Sequence, residues 1–342
     1  MTKVREMPKR CTIKDVAAYA NVATSTVSRV LNNHDADLHT TEETRRKILE
    51  AARLLNYAPN INAKRLFGKC SSIIALVIPS HKSHGKHVFD DRHLTRIFSG
   101  IESALSRSGY RLLIVFNDER FVQQREYLSL FRQGAVDGML VWGAYADQTF
   151  WEELLENNYP VVMLSRSNFP LEHFSYVLHD YQTGGATALR YLLSHGHRQI
   201  AWLGGRQDNG TVQDMIKGFG QLPADCRLDS FYGSFSRRSG ETMAKAALDA
   251  NTDLTAALAT NTDIALGASE VFQKRKIRPE IVVCDTATSD EIQSFPHISV
   301  DDLKLGCESV QILLKQIANG AQAPIQKTLP VTLHESTTKH LR

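Results

Sequence analysis

No apolar run in this chain comes near the roughly 20 residues that a bilayer-spanning helix needs; the longest is Ile73 to Ile78. Its polar start, Met1 to Arg10, lacks the apolar centre of a secretory signal. Both absences predict a cytosolic protein. Cysteine is scarce: Cys11, Cys70, Cys226, Cys284 and Cys307 are odd in number and widely spread, matching neither a disulfide framework nor a C-x-x-C metal or redox motif. They read as reduced thiols. There is no G-x-S-x-G and no G-x-x-x-x-G-K-[ST], and Gly218-Phe219-Gly220 runs on to Pro223 instead of the third glycine of a dinucleotide fingerprint. The densest titratable stretch, His81, His84, His87, Asp90, Asp91 and His93, has no standard metal spacing and reads as a polar loop. Neither metal nor cofactor is expected, and no motif supports an enzyme.

What is present is ordinary globular usage, 42% hydrophobic and 23% charged over 342 residues, enough for two or three folded units. The formal charge of +3 is unevenly divided. Residues 1–70 hold 13 Lys+Arg and 7 Asp+Glu, which leaves 27 and 30 for the rest. A small cationic module joined to a mildly acidic body is the footprint of a chain whose first part meets a polyanion.

In that first part Ile13, Val16, Ala17 and Ala20 recur at helical spacing, and Val27, Val30 and Leu31 form a second short stripe after Asn21-Val22. The spacing predicts two helices about a tight turn, with Asn21 tolerating a positive φ and Ala17 and Ala18 permitting close approach. Thr40-Thr41-Glu42-Glu43 is a capping signature, followed by Ile48, Ala51, Ala52 and Leu55 on one face of a third helix. The second helix carries Thr24, Ser25, Thr26, Ser28 and Arg29 beside its apolar stripe. Short hydroxyls and a guanidinium near a helix start suit base edges in a major groove and phosphates beside it.

The run Thr12-Ile13-Lys14-Asp15-Val16-Ala17, then Val22, then Thr26-Val27-Ser28-Arg29-Val30-Leu31-Asn32 resembles the headpiece of the LacI/GalR family, and Tyr57-Ala58-Pro59-Asn60 with Ala63 and Leu66 is similar to that family's hinge. The resemblance extends over nearly the whole chain. It implies that Thr24, Ser25 and Arg29 read bases while Thr12, Ser28, Asn32 and Thr41 hold phosphates. It also implies that residues 60–67 fold into a hinge helix only on DNA, being too short to be stable alone, with Asn60 and Ala63 at the minor groove and Leu66 wedged between base steps. In two places the chain departs from the family. Ala23 stands where a Ser helix cap is usual, so Thr24 or Ser25 is expected to supply the cap, and the loop 33–39 is longer than usual.

Beyond Cys70, apolar strands alternate with amphipathic helices. The strands expected are Ile73 to Ile78, Arg111 to Phe116, Gly138 to Trp142, Val161 to Leu164, Ile200 to Leu203, Ala256 to Ala259 and Ile281 to Val283. The helices expected are Leu94 to Ser108, Gln123 to Gln133, Thr183 to His195, Gly240 to Ala250, Ile264 to Lys274 and Leu303 to Ala318. Alternation of this kind demands parallel sheets covered on both faces. The fold class expected is α/β: an all-α helix-turn-helix headpiece plus a two-subdomain, periplasmic-binding-protein-like (type I) body with parallel sheets and three chain crossovers. The resemblance divides the chain into a headpiece (1–58), a hinge and linker (59–70), an effector-binding and dimerisation body (71–333) and a tail (334–342). Within the body it implies one subdomain of about 71–170 and 299–322 and another of about 171–298 and 323–333.

Ligand is expected at the carboxyl ends of the strands. There the resemblance nominates Asp91, His93, Ser165, Arg166, Gln213, Phe235, Asn261, Asp263, Asp285 and Thr286, although Gln213 stands for a usual Arg and Thr286 for a usual Asp. Polar partners with one aromatic ring suit a carbohydrate, and Arg166 suits a phosphorylated one. Ala265 to Ser269 and the short loop at Asp285-Thr286 resemble the trehalose-responsive branch. His195 and His197 flank Gly196 in a turn before a strand and read as structural.

The function implied is a homodimeric repressor of carbohydrate-utilisation genes. It would grip a near-palindromic double-stranded operator and answer to a small sugar or sugar phosphate. Two other readings stay open at this point: a soluble sugar-binding protein without a regulatory role, and a sugar-processing enzyme. No leucine heptad follows Val331, so a dimer rather than a tetramer is expected.

Overall fold

The computed structural model describes residues 11–31, 40–58, 70–80, 88–143, 151–164, 171–286, 292, 294–320 and 323–336. The chain divides into two compact units, Met1–Ser71 and Ser72–Arg342.

In the first unit, α1 (Ile13–Ala20), α2 (Thr24–Leu31) and α3 (Glu42–Leu54) enclose a small core of Val16, Ala17, Val27, Val30, Ile48 and Ala51. These are the residues of the apolar stripes, each removing apolar surface from water. Asn21 takes φ 51°, ψ 50°, the left-handed cap that ends α1 and sets the turn. Of the two alanines, Ala17 is buried in the contact and Ala18 stays exposed.

The second unit is built from twelve strands and nine helices among the described residues. The first sheet has the order β11-β5-β4-β3-β1-β2, all parallel, from β1 (Ile73–Pro79), β2 (Arg111–Asn117), β3 (Gly138–Val141), β4 (Val161–Met163), β5 (Ser175–His179) and β11 (Gln326–Leu329). The second repeats that order as β12-β10-β9-β8-β6-β7, from β6 (Gln199–Gly204), β7 (Arg227–Tyr232), β8 (Ala256–Ala259), β9 (Glu280–Thr286), β10 (His297–Ser299) and β12 (Thr332–His334). Its only antiparallel pair is β10 with β12. In each sheet the strand order reverses at the first strand, the switch point where open α/β sheets bind ligands.

The nine helices are α4 (Arg92–Leu105), α5 (Glu119–Gln123), α6 (Glu126–Arg132), α7 (Trp151–Glu156), α8 (Tyr181–Ser194), α9 (Gly210–Phe219), α10 (Arg237–Ala250), α11 (Thr262–Lys274) and α12 (Asp302–Asn319). Helix α8 follows a strand of the first sheet but packs on α9 and β9. Helix α12 follows a strand of the second sheet but packs on α4. These reversals, with the step from Leu329 to Thr332, are the three crossovers.

The seams between the halves fall later than the sequence suggests. Ser175–His179 and Gln326–Leu329 both belong to the first sheet, so its boundaries lie near 180 and 330, not at 170 and 322. The single helix expected over 123–133 is two, because Arg125 takes φ 51° and breaks the run. Strands β5, β7, β10, β11 and β12 and helices α7 and α9 went unread in the sequence.

Candidate functional site

The reading helix of the first unit has two faces. Val27 and Val30 are buried, while Thr24, Ser25 and Arg29 are exposed and Thr26 and Ser28 are half-buried. The hydroxyl-rich face therefore points away from the core, as major-groove entry requires. The carbonyl of Ala23 accepts the first helical bonds from the Thr26 and Val27 amides, at 3.0 and 3.2 Å. Ala23 is thus the N-cap, and Thr24 and Ser25 lie inside the first turn. Neither supplies the cap expected of it, because a capping oxygen must come from the residue ahead of the turn.

Thr12 opens α1 through a reciprocal capping box. Its amide and its hydroxyl both donate to Asp15 Oδ2, at 2.7 and 2.8 Å. Thr41 caps α3, accepting from the Thr44 amide at 3.3 Å. Both exposed threonines sit where helix dipoles are positive, which suits the phosphates assigned to them. Asn32, Asn60, Ala63 and Leu66 lie outside the described residues.

In the second unit, several candidates at strand ends prove to be helix caps. Asp91 caps α4, accepting from the His93 and Leu94 amides at 3.0 and 3.3 Å. Asn261 caps α11, accepting from Ile264 N at 3.0 Å, and its Nδ2 donates to the Phe235 carbonyl at 3.4 Å. A capping role uses one oxygen and leaves the rest of the side chain for another partner. Phe235 is half-buried, and its ring lies on Gly205, where a Cβ would overlap Cε1. Thr260, 2% exposed, ties this corner together: its Oγ1 accepts from Gly205 N at 3.0 Å and donates to Leu203 O at 3.2 Å. Asn261, Phe235, Gly205 and Thr260 form one connected cluster at the carboxyl ends of β6, β7 and β8.

Gln213, in α9, donates from Nε2 to the Gln207 carbonyl at 2.6 Å. On the same loop Arg206 pairs with Asp208 through two bonds, at 3.0 and 2.6 Å, and holds that carboxyl below the usual carboxylate range. Arg206, which was not among the sequence candidates, adjoins Gln207, whose carbonyl holds Gln213. Asp263 is exposed in the first turn of α11. Ser165 and Arg166 lie outside the described residues, as do the side chains of Asp285 and Thr286, whose backbone ends β9.

His93, nominated for ligand contact, commits one ring nitrogen inside the protein. Its Nδ1 donates to Asp302 Oδ2 at 2.9 Å, and His179 Nε2 donates to the other carboxylate oxygen at 3.1 Å. Asp302 is 1% exposed and His179 6%. Burial pushes the Asp302 carboxyl up, but the two imidazoles outweigh it and hold the group below the usual range. His179 Nδ1 is buried and has no hydrogen-bond partner among the described residues.

At the opposite, amino ends of the second sheet, His195 and His197 both meet Glu280, the latter at 2.8 Å, and His197 also meets Thr255 Oγ1 at 3.1 Å. Tyr191 there is pushed up to about 12 by burial and by Glu280. This cluster fastens strand starts, at the other end of the sheet from Phe235 and Asn261. No group of His, Cys, Asp and Glu able to hold a metal occurs among the described residues, whereas His81, His84 and His87 lie outside them. No disulfide is assigned to any of the five cysteines. Among the described residues no helix is long and apolar enough to cross a membrane.

Comparison with known proteins bears on both units. Residues 12–60 match the family described as bacterial regulatory proteins, lacI family, and residues 74–284 match the periplasmic binding proteins and sugar binding domain of LacI family. The ribose operon repressor of Bacillus subtilis is 31% identical over 332 residues, covering 94% of this chain and 96% of its own. The HTH-type transcriptional repressor PurR of Vibrio cholerae is 29% identical over 318 residues, covering 90% and 91%. Among solved structures, the lac repressor dimer bound to operator and the anti-inducer ONPF superposes with a TM-score of 0.79 at 25% identity, covering 96% of this chain and 99% of that one. A CelR–cellobiose complex superposes at 0.69 with 26% identity, covering 96% and 100%.

Proposed function

From the premise that this chain belongs to the LacI family of bacterial regulatory proteins, and so is a DNA-binding transcriptional regulator under allosteric control, we propose that it represses carbohydrate-utilisation genes in answer to a small sugar or sugar phosphate. The observation that carries the DNA side is the exposure of Thr24, Ser25 and Arg29 on the face of α2 opposite its buried Val27 and Val30. That face offers hydroxyl and guanidinium donors to base edges, and Thr12 and Thr41 offer flanking contacts to phosphates. The repressor works as a homodimer on a near-palindromic site, because two-fold related reading helices require two-fold related half-sites. Its relatives along the whole chain are regulators and not enzymes, which leaves the sugar-processing reading without support. The headpiece match likewise disfavours a sugar-binding protein without a regulatory role.

The effector reading rests on the corner of Asn261, Phe235 and Gln213, with Asp91, His93, Asp263, Ser165, Arg166, Asp285 and Thr286 as the further contacts proposed. An aromatic ring beside amide groups matches the mixed face of a pyranose or furanose. The headpiece occupies 1–58 and the linker 59–70 in this proposal, with the effector body beyond. Only a difference in the effector's affinity for two cleft geometries can move the equilibrium between DNA-gripping and released states.

Two experiments test the reading. Selection of duplexes from a random pool, followed by fluorescence anisotropy, should return an inverted-repeat sequence, and recovery of no preferred sequence contradicts it. A thermal-shift series over ribose, cellobiose, trehalose and their phosphates should raise the melting temperature with one class by mass action. Melting unchanged by every sugar and sugar phosphate contradicts the effector assignment.

A further inference from the structure

The three crossovers of the second unit leave from one polar knot. His179 is the last residue of β5, just ahead of the first crossover into α8, and Asp302 is the first residue of α12, just past the second. The two are joined by the hydrogen bond between His179 Nε2 and Asp302 Oδ1. The third crossover starts from Leu329, which pairs in register with His179 and accepts the Asp180 amide at 2.9 Å. The other oxygen of Asp302 holds His93, in the first turn of α4 and two residues from the cap Asp91.

The helices around the knot are closely packed. Helices α4 and α12 touch backbone to backbone: a Cβ on Gly100 would overlap the Leu303 carbonyl, and one on Gly306 would overlap the Ile97 carbonyl. Cys307 Sγ adds a bond to the Gly100 carbonyl at 3.2 Å. Close-packed elements of this kind move between discrete arrangements rather than deforming. The side chain of His93 keeps 23% of its surface exposed, whereas those of His179 and Asp302 keep 2% each. His93 is therefore the most exposed member of the knot, and it sits in the first turn of α4, the helix that follows the carboxyl end of β1.

We infer that Asp302 is a positioning residue of the allosteric switch: through His179 it fixes the pivot of the crossovers, and through His93 it links that pivot to the effector end of α4. The inference rests on the effector reading above and assigns a transmission role to Asp302 and His179, which that reading does not contain. Because a carboxylate only accepts, both imidazoles must turn an N–H toward it. A side chain without acceptors at position 302 leaves both donors unpaired and releases the start of α12 from the end of β5. The two halves then lose their preferred relative arrangement while each keeps its own core.

The test uses the full chain without any ligand. Donor and acceptor dyes on Arg120→Cys and Arg238→Cys, exposed residues in α5 of the first half and α10 of the second, report the distance between halves in a Cys70→Ser background diluted with unlabelled protein. In the parent a narrow distribution is expected. In Asp302→Ala it should broaden, and affinity for the duplex selected by the wild type should fall by about 5- to 150-fold, the usual range of allosteric coupling. Asp302→Asn keeps one acceptor oxygen, and its amide meets a ring nitrogen once that imidazole switches tautomer, so it should restore most of both. If Asp302→Ala lowers the melting temperature but keeps the parent distribution and duplex affinity, Asp302 only stabilises the fold and the inference is overturned. Should that variant fail to fold, His93→Gln carries the same comparison from the exposed side, and a parent-like result there overturns it equally. A wild type that selects no duplex refutes the DNA reading instead, and the distance comparison still decides this one.

Discussion

The ring of Phe235 occupies the space that a side chain on Gly205 would need. Gly205, just past the end of β6, is therefore what lets an aromatic ring lie across the carboxyl ends of the second sheet, where Asn261 Nδ2 donates to the Phe235 carbonyl.

Gly205→Ala should push that ring off its seat. Overpacking of this kind costs about 1–3 kcal/mol, and the loss should appear as a lower melting temperature together with a weaker thermal response to whichever sugar shifts the wild type. Phe235→Leu should weaken the sugar response with a smaller loss of stability. A Gly205→Ala protein with unchanged melting and unchanged response contradicts the packing described for Phe235.

Ala23→Ser should stabilise the reading helix. Ala23 is the N-cap of α2 and offers no side-chain oxygen, whereas serine there accepts from the first turn and contributes about 0.5–2 kcal/mol. Amide exchange within Thr24–Leu31 should slow, and faster exchange contradicts the cap assignment.

Acid should weaken the second unit before carboxylates are protonated. Burial pulls the His297 imidazole below its ordinary value of 6.5; its bond to the Phe295 carbonyl opposes this and the stacked His334 adds to it. The folded chain then binds fewer protons at this site than the unfolded chain, so stability is full above about 6.5 and is lost as pH falls through that value. Denaturant midpoints measured from pH 7.5 to 5.5 should fall, and His297→Asn should make the fall shallower. An unchanged slope in His297→Asn contradicts this origin.

How much of this was legible in the sequence depended on whether a feature is local. The turn at Asn21, the Thr41 cap and the stripes Val16-Ala17, Val27-Val30 and Ile48-Ala51 were readable because each is settled within one helical turn of its neighbours. Strands β7 and β11, reading Arg-Leu-Asp-Ser-Phe-Tyr and Gln-Lys-Thr-Leu, were not, because they lie at sheet edges, where half-exposed residues carry no continuous apolar signal. The knot at Asp302 was out of reach for a different reason: its partners lie 123 and 209 residues away, and no local pattern announces a pairing made by topology. Asp91 and Asn261 were nominated for ligand contact, and their capping bonds emerged only once the helix starts were placed.

The central claim is that α2 reads sequence with its exposed face, and fluorescence anisotropy of the selected duplex with Arg29→Ala tests it most directly. The variant should lose about 5- to 150-fold on the selected duplex, the about 1–3 kcal/mol expected for one base contact, while its binding to a scrambled duplex changes little. Equal affinity of wild type and Arg29→Ala for the selected duplex, with specificity retained, contradicts it.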